Sequence, residues 1–146
     1  MRELPRQLSA EELAELFEGR TRLVELLATR ENPLGSADDA IAELDEAEKL
    51  EALDAHPAIG ARSGLSARSA AEQGADADPV ILTELAYLNQ VYEEKFGFRF
   101  VVFVDGRPKT EILEVLRSRL EGTREEELET ALRELVAIAR DRWENP

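Results

Sequence analysis

Start and stop signals for helices recur along this chain so closely that little other than a set of short helices can satisfy them. Ser9 with Glu12 reads as a capping box, Leu13, Leu16 and Phe17 make an apolar stripe behind it, and Gly19 is a stop. Thr21 can cap a second helix carrying Leu23, Val24 and Leu27, closed by Asn32-Pro33 and Gly35. Ser36 with Asp39 opens a segment from Ala37 to Leu53, one helix or two broken near Asp45. The stretch from Asp54 to Gly64 is expected to be irregular. Ser66 caps a short helix ending at Gly74, and Asp78-Pro79 places a cap and a first-turn proline before Leu82, Leu85, Leu88 and Tyr92, with a stop at Gly97. Thr110 opens a helix to Leu120. Thr123 with Glu126 is a second capping box, starting a helix from about Arg124 to Trp143.

One run breaks the pattern. Phe98 to Val104 (FRFVVFV) is strongly β-prone and ends at the Asp105-Gly106 turn. With no second strand to pair with, it is expected to be a buried extended segment or a helix entry. The predicted fold is therefore all-α, a compact single-domain helical bundle over residues 1–146, with a short extended segment near 98–104. A chain of 146 residues is long enough to bury roughly 70% of its unfolded surface.

Composition narrows the function classes. The absence of cysteine excludes disulfides, thiolate metal sites and cysteine nucleophiles. A net charge of −14 with no concentrated basic patch argues against nucleic acid or an anionic membrane as partner. No apolar run reaches membrane-spanning length, MRELPRQLSAEEL lacks the apolar region of a signal peptide, and Asn145-Pro146 is not a peroxisomal address, so a cytoplasmic location is expected. The same charge means that any anion site must be built locally, by a placed arginine or by helix N-termini. No metal-ligand spacing, phosphate loop or nucleophile elbow is present.

Three places depart from plain scaffold, each with two readings. His56-Pro57 holds the only histidine, in an irregular segment directly after a helical pattern: it is an incidental surface residue, or a proton donor and acceptor working near neutrality. Ser69, Glu72 and Gln73 share one face of the LSARSAAEQG helix, which is either a solvated polar face or a hydroxyl, carboxylate and amide holding a planar nitrogen-rich ligand. Arg142 continues the stripe Leu128, Leu132, Leu135 and Ala139, and either snorkels at the helix end or reaches into a pocket to bind a carboxylate through paired hydrogen bonds.

These places are joined by a wider pattern. AHPAIG (Ala55 to Gly60), LSARSAAEQ (Leu65 to Gln73), LNQVYEEKFGFRFVVFV (Leu88 to Val104), ILEVLRSRL (Ile112 to Leu120) and ELVAIARDRW (Glu134 to Trp143) occur in that order. Together they resemble the 2-oxo-4-hydroxy-4-carboxy-5-ureidoimidazoline (OHCU) decarboxylase family. The resemblance covers nearly the whole chain and is most specific from Leu50 onward. Leu23 and Leu34 stand where members often carry aromatics, and Ala58 and Ile59 replace the more acidic HPDLAG form.

The resemblance implies catalytic His56 and Glu72, with Pro57, Ser69 and Gln73 lining the pocket, main-chain contacts from Phe100, Val101, Val102, Phe103 and Val104, and Arg142 in the site. It implies a helical, usually dimeric enzyme that needs no cofactor and no metal. The substrate's carboxylate sits on a ring carbon beside an imine, so the ring itself can accept the electrons left by loss of CO₂. The protein then has to anchor the ring, keep it dry and deliver one proton to one face, giving (S)-allantoin. His56 is assigned the proton transfer, Glu72 its orientation and polarisation, and Arg142 the fixed positive charge. Two other functions stand beside this one: a catalytically silent binding or scaffolding member, and a decarboxylase of a related ureido or hydantoin acid.

Overall fold

The computed structural model describes residues 7–57 and 78–145. The Ser66–Gly74 helix, with Ser69, Glu72 and Gln73, lies outside the described residues, as do Ala58 and Ile59. Among the described residues there are seven helices and no strand: α1 (Ala10–Phe17), α2 (Arg22–Leu27), α3 (Ala37–Ala42), α4 (Glu46–Asp54), α5 (Pro79–Phe96), α6 (Lys109–Arg119) and α7 (Arg124–Glu144). The chain divides into two compact units, one of Met1–His56 with Leu132–Pro146 and one of Pro57–Ala131, so α7 begins in the second and finishes in the first.

In the first unit α2 packs against α1, α3 and α4. The capping box of α1 forms as its spacing predicts: the Ser9 hydroxyl accepts from the Glu12 N–H, and the Glu12 carboxylate accepts from the Ser9 N–H, both at 3.1 Å. The helix stops where expected, but the left-handed residue is Glu18 (φ 66°) rather than Gly19. Thr21 caps α2, yet that helix ends at Leu27, well before Asn32. The Thr29 hydroxyl donates to the Leu26 carbonyl at 2.7 Å, and side-chain bonds of this kind compete with helix continuation.

The segment after Ser36 is two helices, broken at Asp45. Asp45 and Glu48 form a third capping box, with bonds of 2.8 and 2.9 Å, which stops α3 and starts α4. Ser36 does not cap α3 as expected; its hydroxyl donates instead to the Asn32 carbonyl at 2.7 Å. The core here is aliphatic, with Leu13, Leu23, Val24, Leu27, Leu34 and Leu53 all fully buried. Each such side chain contributes about 1.5–3 kcal/mol of burial. The end of α7 adds Leu135, Ala139 and Trp143 to it, and Arg140 donates twice to the Leu34 carbonyl, at 3.2 and 2.8 Å.

In the second unit α5 packs against α6. Asp78 accepts from the Val80 N–H at 2.8 Å with Pro79 at the first helical position, and Gly97 closes α5 in the left-handed conformation. Helix α6 begins at Lys109, one residue before Thr110, because Pro108 provides the turn; no side-chain cap bond is made there. The Thr123–Glu126 capping box forms, with bonds of 3.2 and 3.1 Å. Residues 98–104 form neither helix nor strand and have no strand partner among the described residues, as their isolation in the sequence predicts.

Candidate active site

His56 follows the last turn of α4. Its backbone N–H donates to the Leu53 carbonyl at 3.2 Å, which holds it one residue beyond the helix cap, and the residue is 5% exposed. That burial removes the reading of an incidental surface histidine. Pro57, half-buried, continues the non-helical step.

Arg142 lies on the buried face of α7 at 1% exposure, so it does not snorkel into solvent. Its guanidinium is aimed at the C-terminal end of α1. One terminal nitrogen donates to the Leu16 carbonyl at 3.1 Å and reaches the Glu15 carbonyl at 3.5 Å; the other meets a Glu18 carboxylate oxygen at 2.9 Å. Those carbonyls are at the negative end of the α1 dipole, where a cation is favoured. Glu18 reaches Arg142 from a left-handed backbone that costs a non-glycine residue roughly 1–2 kcal/mol. Sequence reasoning missed this partner, and the signal was a glutamate standing immediately before the glycine that should have closed α1.

The extended segment is sealed at nearly every position: Phe100 is 2% exposed, Val101 3%, Val102 7% and Val104 7%, with Phe103 half-buried. Arginine side chains take up several of its carbonyls in place of a neighbouring strand. Arg119 donates to Val101 at 2.7 Å, and Arg107 to Phe103 at 2.5 Å and Val104 at 3.1 Å, while Arg124 takes the Phe96 carbonyl at the end of α5 at 2.9 Å. No hydrogen bond among the described residues reaches the backbone N–H or C=O of Val102. A buried backbone donor and acceptor of this kind ordinarily has a partner, so this edge is suited to a polar ligand.

Behind the segment lies a network that sequence reasoning also missed. The Glu127 carboxylate accepts from the Tyr92 hydroxyl at 2.7 Å and from Arg119 at 2.8 Å. The Arg119 guanidinium lies 4.6 Å from the Phe100 ring centre, and Tyr92 packs on Phe96 and Phe100 at 4.6 and 5.2 Å. Burial first, and then the bond to Glu127, push the Tyr92 hydroxyl far above its ordinary pKa, so it acts as a fixed donor. Glu127 looked like one more acid in the first turn of α7; only its 5% exposure separates it from Glu125 and Glu126.

Among the described residues no group of His, Asp or Glu converges in a way that would hold a metal ion, and no helix is long and apolar enough to cross a membrane.

Comparison with known proteins agrees with this pattern. The sequence model of the OHCU decarboxylase family matches residues 2–144. A 2-oxo-4-hydroxy-4-carboxy-5-ureidoimidazoline decarboxylase of Halalkalicoccus jeotgali is 32% identical, over 78% of this chain and 71% of that protein. The uric acid degradation bifunctional proteins of Bacillus subtilis and Arabidopsis thaliana are 34% and 39% identical over 67% and 61% of this chain. The match spans only 21% and 30% of their respective lengths. The crystal structure of an OHCU decarboxylase in the presence of (S)-allantoin superposes with a TM-score of 0.74 at 29% identity, covering 90% of this chain and 94% of that one. The chain belongs to the OHCU decarboxylase family.

Proposed function

We propose that this protein is a carboxy-lyase of urate degradation that converts OHCU to (S)-allantoin without a cofactor. The observation that carries this reading is the family's pattern running through residues 2–144, with the His-Pro pair, the Ser-x-x-Glu-Gln motif and the terminal arginine all present in the sequence. In the reaction the bond from ring carbon to carboxylate breaks and its electron pair moves into the adjacent imine. A proton is then delivered to the carbon bearing the ureido group, while the neighbouring hydroxyl becomes a carbonyl.

His56 delivers that proton in this reading, and its burial supports the role, because a sealed imidazole transfers a proton without competition from bulk water. Glu72 orients and polarises it. Pro57, Ser69 and Gln73 line the pocket. The segment from Phe100 to Val104 binds ring and ureido edges through its main chain, for which the Val102 amide, with no hydrogen bond among the described residues, is the best-placed donor. Arg142 supplies the fixed positive charge. The proposed assembly is a homodimer in the cytoplasm. The outward apolar residues Val80 and Tyr87 of α5, 69% and 64% exposed, are the surface that supports self-association.

One observation favours the silent-member reading: Arg142 already meets a carboxylate of its own chain. A single assay separates the two. OHCU is generated in situ from urate, and its disappearance and the optical activity of the product are followed. Acceleration with (S)-allantoin in excess is expected; a racemic product forming at the spontaneous rate defeats the enzyme reading.

A further inference from the structure

The turn that ends the extended segment is of a kind that normally joins two β-strands. Asp105 and Gly106 both have positive φ, 50° and 74°, and the Arg107 N–H donates to the Val104 carbonyl at 3.0 Å. Two successive left-handed residues closed by this bond make the type I′ pattern, whose twist suits a hairpin. Here no second strand follows. Pro108 has no N–H to offer a ladder, and α6 starts at Lys109.

A returning strand would have lain along the edge that Val104 shares with Val102; in its absence the Arg107 side chain holds the end of the segment. It folds back over the turn, donating from Nε to the Val104 carbonyl and from a terminal nitrogen to the Phe103 carbonyl. In an extended chain the polar groups of alternate residues point to opposite edges. The carbonyls of Val101 and Phe103 therefore share an edge, and Arg119 and Arg107 occupy them. Val102 presents its N–H and C=O to the other edge, which it shares with Val104, and no hydrogen bond from the described residues reaches it there. Arg119 is 9% exposed and tied into the Tyr92–Glu127 network, whereas Arg107 is only half-buried and rests on the segment alone among the bonds described for it.

We propose that Arg107 is a positioning residue: by bridging the Phe103 and Val104 carbonyls it pins the end of the segment, leaves open the edge a returning strand would have covered, and fixes the direction in which Val102 meets the substrate. This rests on the decarboxylase reading and on the binding role of the 100–104 main chain. Arg107 itself touches no substrate.

The test compares Arg107→Ala and Arg107→Lys with the wild type, using OHCU generated in situ and measuring kcat, KM and thermal unfolding. Loss of a device that only orients a binding edge raises KM about 3- to 10-fold and leaves kcat within about 2-fold. Arg107→Lys recovers part of the loss, because an ammonium lacks the planar fork that spans two carbonyls. A residue that merely stabilised the turn would lower the melting temperature and leave KM of the folded enzyme unchanged. An Arg107→Ala protein that is folded and active with wild-type KM overturns the proposal while the decarboxylase reading stands. A wild-type protein that does not accelerate OHCU decay overturns both. If Arg107→Ala fails to fold, the Lys variant decides alone, through a raised KM or an unchanged one.

Discussion

Glu18 and Arg142, from opposite ends of the sequence, meet at 2.9 Å with side-chain exposures of 10% and 1%. The carboxylate sits on a left-handed residue that closes α1, and the guanidinium also takes carbonyls of that helix's last turn. A side chain that is strained at its backbone and buried at its tip is retained for what the tip does.

Glu18→Gly separates those two effects. Glycine relieves the left-handed backbone, a gain of about 1 kcal/mol. Removing one partner of a buried ion pair costs about 3–5 kcal/mol. The net loss should lower the melting temperature by on the order of 5–10 °C. A Glu18→Gly protein more stable than wild type by the whole of that backbone gain would mean the pair contributes nothing.

Arg142→Ala should lose on the order of 2–5 kcal/mol of transition-state stabilisation, read as kcat/KM well below the melting temperature. Arg142→Lys keeps the charge without the fork and should recover only part. If kcat/KM of folded Arg142→Ala equals that of wild type, Arg142 is a strut for α1 and the silent-member reading gains.

His56→Asn and His56→Ala should each lower turnover about 10²- to 10⁴-fold, the usual contribution of a general acid or base, with helical circular dichroism retained. The residue lies beyond the end of α4, so the substitution changes no residue of that helix. Near-normal turnover in both variants removes the proton-transfer role.

The capping box of α7 gives a pH dependence of known sign. Hydrogen bonding to the Thr123 backbone, then to its side chain, holds the Glu126 carboxyl below its ordinary 4.5. A depressed carboxyl stabilises the fold above its unfolded pKa, and that contribution is lost as pH falls through the lower folded value. The stability gap between wild type and Glu126→Ala should therefore narrow from pH 7 to about pH 3, and narrow in salt because the group is exposed. A gap that widens on acidification would contradict the assignment.

The helices were legible because their signals are local. Ser9–Glu12, Asp78-Pro79, Gly97 and Thr123–Glu126 each act within a single turn, and all do what their spacing implies. Failures came where a neighbour competed for the same group: Ser36 bonds backward to Asn32, and Thr29 ends α2 early. The burial of Arg142 could be read from the periodicity of α7, since its stripe runs through Leu135 and Ala139. Its partner could not, because a contact between the two chain ends leaves no periodic trace. Tyr92, Arg119 and Glu127 were hidden for the same reason, each looking ordinary within its own helix.

The seven residues Phe98 to Val104 also carry a hazard. A short apolar β-prone run with a single charge is the kind of segment that templates cross-β stacking when its edge is bare. Arg119 and Arg107 fill the Val101 and Phe103 carbonyls, so an incoming strand finds guanidinium where it needs acceptors. The bonds that shape the segment therefore also keep molecules from adding to one another along that edge, and weakening them should show first as turbidity in concentrated solution, before any loss of helix.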